Sequence, residues 1–430
     1  MLTPKPTNDL APDISMGATG EANSAIELAR DEPATMLDDV SEQDRGDFKL
    51  LAVVSSSHLV VDTVAGQMSP LWPELSQHYD MPSTSGCLLV WTLATSVFQL
   101  LFGVLGDSMR GQWLMIAGPM VAVGCLSAIG LTHSPPVLYA LLLFAGLGIA
   151  AYHPEAAAMS GRSWASQRSR AMSIFAMGGY LGQAIGPYYS GYMVDRWGLR
   201  GLAWGAAWGW LAMLAVAVGL GRQPVAKVAA SEPRWSPWKS LHTCARRLTL
   251  LLAIGSLRIV AAAGVPIALG FVLAQRDWLK SDVGLVQSAF MAGIGAAGLI
   301  CALSRSARWE RRTLWLPSLL TVPILLILPR LDGPLLHFAT LSTGFLLGLA
   351  LPVLISTGQR MLPESPRVAS SITMGVSWGI GGGIVSGIID VCERWQAYDA
   401  AFAGFAVATT LSSLLCIALP SPAAVHPARD

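Results

Sequence analysis

Five ionisable residues stand in stretches where their neighbours are apolar, and each is a candidate for chemistry because a charge away from water needs a partner or a job. His58 and Asp62 lie four residues apart in LLAVVSSSHLVVDTVAG, so a helix sets them on one face, a turn from each other. A carboxylate beside an imidazole can take up and release a proton, and the same pair can also serve as a static tie between helices. Tyr152-His153-Pro154-Glu155 places an imidazole and a second carboxylate around a proline. Counted along the helix, His153 falls at roughly the depth of His58, so the two helices could share one polar cluster. Pro154 removes a backbone donor and predicts a kink with a freed carbonyl. For Glu155 a second role is open, an ion pair with Arg162 or Arg168 toward the helix end. Arg258 keeps its proton, which leaves three roles: counter-ion to Asp62 or Glu155, anchor for an anionic substrate group, or member of a structural ion pair.

The elements that position these residues follow from composition. Of the 430 residues 53% are hydrophobic and 13% charged, with mean hydropathy +0.51; no water-soluble globule of this length buries so much apolar surface. Net charge +1 gives no reason to invoke nucleic acid, whose binders carry concentrated basic faces. Cys87, Cys125, Cys244, Cys301, Cys392 and Cys416 are scattered without paired spacing, so neither a disulfide framework nor a metal site is expected. No Ser/His/Asp set or nucleotide loop argues for an enzyme, and no cofactor is implied.

A crossing helix needs about 20 apolar residues. Such stretches occur near 49–73, 84–105, 113–132, 136–159, 171–194 and 202–220, and again near 248–274, 283–304, 313–330, 335–359, 369–391 and 400–419. The expected organisation is an acidic, disordered cytosolic tail (1–47), a six-helix half (48–220), a polar cytosolic linker (221–247), a second six-helix half (248–420) and a short tail (421–430). Alternate loops hold Arg110, then Arg162, Arg168 and Arg170, then the linker's bases, then Arg305, Arg308, Arg311 and Arg312, then Arg360 and Arg367. Those loops are expected in the cytosol, and both termini with them, for a multi-pass protein of the inner membrane.

The halves repeat. Gly146 and Pro154 recur as Gly344 and Pro352, and Arg196-Trp197 as Arg394-Trp395, all about 198 residues on. With an even number of helices per copy the copies enter the bilayer from the same side, a parallel repeat. At a nearly equal offset Arg258 falls on His58, which predicts that it faces the same cavity.

Uncharged candidates complete the set. Gln99 and Gln183, with Gln287 and Gln359, suit interhelical hydrogen bonding or substrate contact, and Trp91, Tyr180 and Trp378 lie deep enough to line a cavity. Helix 5 carries Gly178-Gly179, Gly182, Gly186-Pro187 and Gly191, a small-residue face that permits close helix approach, with a proline bend.

That GxxxGPxxxG run is similar to the helix 5 motif of major facilitator antiporters, where it implies a gate. Gly103-Val-Leu-Gly106-Asp107-Ser-Met-Arg110 is similar in part to the same superfamily's loop signature; an acid at the end of helix 2 is expected to dock on the positive start of helix 11 near Ser370. Ser108, Arg110 and Gln112 depart from the pattern. More specifically, residues 50–420 resemble the fosmidomycin-resistance transporters of the major facilitator superfamily. The residues that carry the resemblance are His58 and Asp62, His153-Pro154-Glu155, Ser173-Ile174-Phe175, the helix 5 glycines and Leu362-Pro363.

The expected protein is therefore an all-α membrane protein of twelve helices. It is expected to act as a monomer that exports a small molecule or drug by alternating access, in exchange for protons. Uptake by proton symport and a non-transporting membrane sensor are the alternatives. The substrate is the unread part.

Overall fold

The structure, a computed structural model, describes residues 42–108, 112–164, 167–221, 237–303, 310–361 and 371–418. The expectations for most of the acidic tail, Arg110, Leu362-Pro363 and residues 419–430 lie outside these, as does the side chain of Asp107. Among the described residues the elements are helices and turns, with no strand.

The first half comprises α1 (Glu42–Gly66), α2 (Ser85–Ser108), α3 (Trp113–Ala128), α4 (Pro135–Ser163), α5 (Arg168–Trp197) and α6 (Trp204–Leu220). The second comprises α7 (Pro237–Ala274), α8 (Lys280–Leu303) and α9 (Glu310–Ile327), then α10 (Gly333–Arg360), α11 (Ile372–Trp395) and α12 (Asp399–Ile417). Eleven of these are long and apolar enough to cross a membrane. The twelfth, α5, is 30 residues long but diluted by Gly, Ser, Gln and Tyr; its exposed apolar stripe runs through Ile174, Leu181, Ile185, Tyr188 and Tyr192. Lipid-facing stripes of the same kind run along α6 (Leu211, Leu214, Val218) and α12 (Val407, Leu411, Leu414).

Several boundaries differ from the expected ones for physical reasons. The first span ends at Gly66 rather than near 73, because Pro73 lies in the first turn of a separate short helix, Trp72–His78, whose Trp72 is buried. The helix of α7 begins at Pro237, ahead of its apolar stretch. Both α4 and α5 run as α-helix through their prolines, Pro154 and Pro187. In the second copy α10 is interrupted between Gly348 and Ala350, just before Pro352. A π-helical turn, Ser371–Val376, opens α11.

The repeat is visible in the packing. Within the first half α4 packs on α2 and α3, and within the second α10 packs on α8. Gly146 of α4 sits against Ala94 of α2, and its counterpart Gly344 of α10 sits against the Phe290 carbonyl of α8, each too close for a Cβ. The halves join chiefly through α5 on α8 and α2 on α11.

The glycines of α5 form a trough for α1. A Cβ at Gly178, Gly182 or Gly186 would run into the carbonyls of Ser55, Leu59 and Thr63 respectively. These are two runs at i, i+4, i+8 in matched register, the spacing by which small residues let membrane helices approach closely. Overpacking a well-packed contact destabilises by about 1–3 kcal/mol or more. We therefore expect Gly182→Leu to lower the unfolding temperature of the detergent-purified protein by several degrees. Gly387, which has open space around it, should tolerate the same change; equal melting of both variants would contradict the trough.

Candidate functional site

The register of α1 in that trough decides which side chains meet. On α1, His58 and Asp62 face α5 and α4, and both are buried. Asp62 Oδ2 lies 3.4 Å from His58 Nε2, and Asp62 Oδ1 lies 3.3 Å from His153 Nε2 of α4. Gln183 of α5 donates its amide N–H to Asp62 Oδ2 at 2.9 Å. The side-chain ligand atoms of His58, Asp62 and His153 all fall within 4.8 Å of one another, close enough to share a single cation.

Each imidazole is anchored at its back. His58 Nδ1 is 2.8 Å from the carbonyl of Phe175, and His153 Nδ1 is 2.9 Å from that of Ile149. A carbonyl only accepts, so the hydrogen-bond network assigns the proton of each ring to Nδ1. The His58 ring also stacks on Phe175, centroids 4.0 Å apart, and stands edge-on to His153 at 5.3 Å. Next to them, the hydroxyls of Ser57 and Tyr152 share a 2.7 Å hydrogen bond. Gly179 closes the site, since a Cβ there would lie 2.6 Å from His58 Nε2 and 2.9 Å from Asp62 Oδ2. One residue on, Tyr180 packs over Gly295 and Gly298 of α8, which brings the second half to the edge of the cluster.

The sequence candidates therefore divide. His58, Asp62, His153 and Gln183 meet, while Glu155 does not join them; its carboxylate pairs with Arg162 at 3.2 Å, as a charge near a helix end can by extending toward water. Gln99 donates its amide N–H to the carbonyl of Thr95 on its own helix. Trp91 and Trp378 are half-buried. Gly103 lies nearest to Pro154 of α4.

Arg258 departs furthest from expectation. It is buried at 1% exposure and turned into its own half, where Nη2 donates to the Leu314 carbonyl of α9 at 2.5 Å. Nε and Nη1 have no hydrogen-bond partner, and no carboxylate among the described residues pairs with it. It is counter-ion neither to Asp62 nor to Glu155. The repeat offset matched residue depth but not the direction in which a helix turns its side chain.

Phe175, Gly179, Tyr152 and Ser57 were not read from the sequence as site residues. A signal for two of them was there: Phe175, Gly179 and Gln183 repeat every four residues, in register with His58, Asp62 and Gly66.

The sequence profile of the Major Facilitator Superfamily matches residues 54–386. The Fosmidomycin resistance protein of Escherichia coli (strain K12) is 23% identical over 350 residues, covering 79% of this chain and 85% of that protein. The uncharacterized MFS-type transporter YfnC of Bacillus subtilis (strain 168) is 23% identical over 352 residues, covering 78% and 84%. Among solved structures, the nucleoside transporter NupG superposes with a TM-score of 0.70 at 13% identity, over 86% of this chain and 100% of that one.

A buried cation with unmade hydrogen bonds destabilises, and an apolar side chain of similar length removes that penalty. Arg258→Met is expected to melt at an equal or higher temperature and to keep transport within about twofold of native. A transport loss of tenfold or more in a variant that melts normally would return Arg258 to the functional site.

Proposed function

Because the chain belongs to the Major Facilitator Superfamily, we propose that it is a proton-coupled antiporter that exports a small molecule from the cell by alternating access, with Asp62 as the coupling carboxylate. The observation that carries this reading is the convergence of His58 Nε2, His153 Nε2 and the Asp62 carboxylate, with both Nδ1 atoms committed to backbone carbonyls. In neutral imidazoles so held, both Nε2 atoms turn lone pairs toward a carboxylate that also only accepts. Three acceptors facing one another repel unless a cation sits between them, and a proton is the smallest that fits.

The residues then have separate tasks. Asp62 carries the negative charge that a proton neutralises. His58 and His153 exchange that proton with it, and their anchored Nδ1 atoms keep the rings aimed. Gln183 holds Oδ2 in place, so uptake of a proton alters charge without reorienting the carboxylate. Tyr180 links the site to α8, the helix along which the halves meet, so the charge state of Asp62 can bias how the halves rock about it. The substrate is a small organic compound, the energy source is the proton gradient, and the working unit is the monomer in the inner membrane. The direction rests on the relative named for fosmidomycin resistance, because removal of a compound from the cell is the carrier activity that confers resistance.

The test is transport in proteoliposomes under an imposed pH gradient, with candidate substrates chosen from resistance profiles of cells that express the protein. Native protein is expected to drive substrate against its gradient when the pH gradient is applied. Asp62→Asn should still exchange substrate down its own gradient while losing at least about tenfold of the pH-driven rate, as expected when the coupling charge is removed. If Asp62→Asn concentrates substrate at the native rate, Asp62 is not the coupling site.

A further inference from the structure

At the end of the bundle away from the Arg-rich loops, each half places a carboxylate on the start of a helix belonging to the other half. Asp195, near the end of α5, accepts hydrogen bonds from the backbone amides of Lys280 (3.0 Å) and Ser281 (2.7 Å), the first residues of α8. Glu393, near the end of α11, accepts from the backbone amide of Thr84 at 3.0 and 3.1 Å and from its hydroxyl at 2.7 Å, at the start of α2. Asp195 and Glu393 are related by the same repeat offset of about 198 residues that relates the Arg-Trp pairs directly after them.

The first amides of a helix have no partner within it and carry the positive end of its dipole. A carboxylate there makes charge-assisted hydrogen bonds, about twice as strong as neutral ones. Here each cap comes from the opposite half, so both are lost together when the halves part at this end. Neighbouring groups reinforce them. Glu393 also accepts from the Ser83 hydroxyl at 2.6 Å, and Asp390 accepts from the Ser85 hydroxyl at 3.0 Å while paired with Arg394 at 2.6 Å. Glu74 of the short helix pairs with Lys280 at 3.0 Å, and Gln287 of α8 donates to the Ser69 carbonyl at 3.3 Å. The segment before α2 is fixed to its own half by the Tyr79 hydroxyl, which donates to the Ile129 carbonyl at 2.5 Å. Burial pushes that phenol up to about 12, so it remains a donor.

We infer that Asp195 and Glu393 are a matched pair of latches that hold this end of the carrier closed, and that breaking them is the step that opens it. They are positioning residues: they act through the relation of the two halves and are far along their helices from Asp62. The inference rests on alternating access but not on which ion drives it. The two latches differ in strength. Glu393 is buried at 5% exposure, whereas Asp195 is exposed, so water and salt weaken the Asp195 cap more.

The experiment reads the separation of the halves directly. Spin labels at Leu131→Cys and Leu335→Cys, 62% and 59% exposed, lie at this end, one on each half. Cys125, Cys244 and Cys301 are changed to Ser, and Cys87, Cys392 and Cys416 are left because they are buried. Pulsed dipolar distance distributions are then compared for this background, Asp195→Asn, Glu393→Gln and the double variant. Asparagine and glutamine keep an acceptor but lose the charge, and Asp195, being exposed, should fold normally when changed.

The short-distance population is expected to dominate the background. Each single variant should raise the long-distance population about fivefold, the effect of replacing charge-assisted by neutral hydrogen bonds, and the double variant more than either. Asp399→Asn, which removes a carboxylate at the same end, should change nothing. An unchanged distribution in the double variant, or an equal rise in Asp399→Asn, overturns the inference. Because the readout is a distance, it stands or falls independently of the Asp62 transport assay.

Discussion

The close approach of α1 to α5 is the contact on which the rest of this molecule depends. Inside a bilayer water gives no drive to bring helices together, and dispersion between backbones at short range takes its place. Three glycines of α5 supply that range against Ser55, Leu59 and Thr63. The same register delivers Asp62 to Gln183 and His58 to the carbonyl of Phe175. A helix pair that packed one residue out of register would turn Asp62 from its amide partner and leave a bare carboxylate in a dry interior. Packing and chemistry are thus one constraint, and Gly179, which lies both in the trough and against the imidazole, belongs to each.

The two halves share a scaffold without sharing a task. Both use a glycine, Gly146 or Gly344, to seat the fourth helix of the copy on the second. The first half builds the buried cluster of His58, Asp62 and His153. The second turns Arg258 inward, against Leu314 and Cys416 in a small apolar cluster with Leu251 and Ile254. Beside that cluster the second half presents small residues, Gly295 and Gly298 beneath Tyr180.

Much of this was legible in the sequence. Apolar length gave the helices to within a few residues wherever caps and prolines agreed with hydropathy, and it failed at Pro73, which starts a helix that apolarity alone would have merged with α1. The pairing of His58 with Asp62 followed from spacing on one helix, and the approach of His153 followed from depth. Depth is a one-dimensional quantity, however, and facing is not. Arg258 was placed correctly along its helix and wrongly around it, because rotation about the helix axis is set by tertiary contacts that the local pattern does not contain. Glu155 was readable both ways, and the guanidinium of Arg162 seven residues on decided it. The acids Asp195 and Glu393 directly precede the Arg-Trp pairs that revealed the repeat, yet an acid at a loop edge looks like ordinary solvated charge until the helix start opposite it is known.

The reciprocal caps have one more consequence. A contact in which one unit's carboxylate meets its partner's helix start, and the partner's carboxylate meets the first unit's, is self-complementary in the sense of a two-fold dimer. Two identical six-helix chains, related by an axis along the membrane normal, could make it without any change of sequence between them. The fused chain carries that isologous interface inside a single polypeptide, where tethering replaces association. Each copy is then free to diverge at its centre, as the histidines of the first half and the apolar cluster of the second have done, while the rim by which the copies recognise each other stays symmetric.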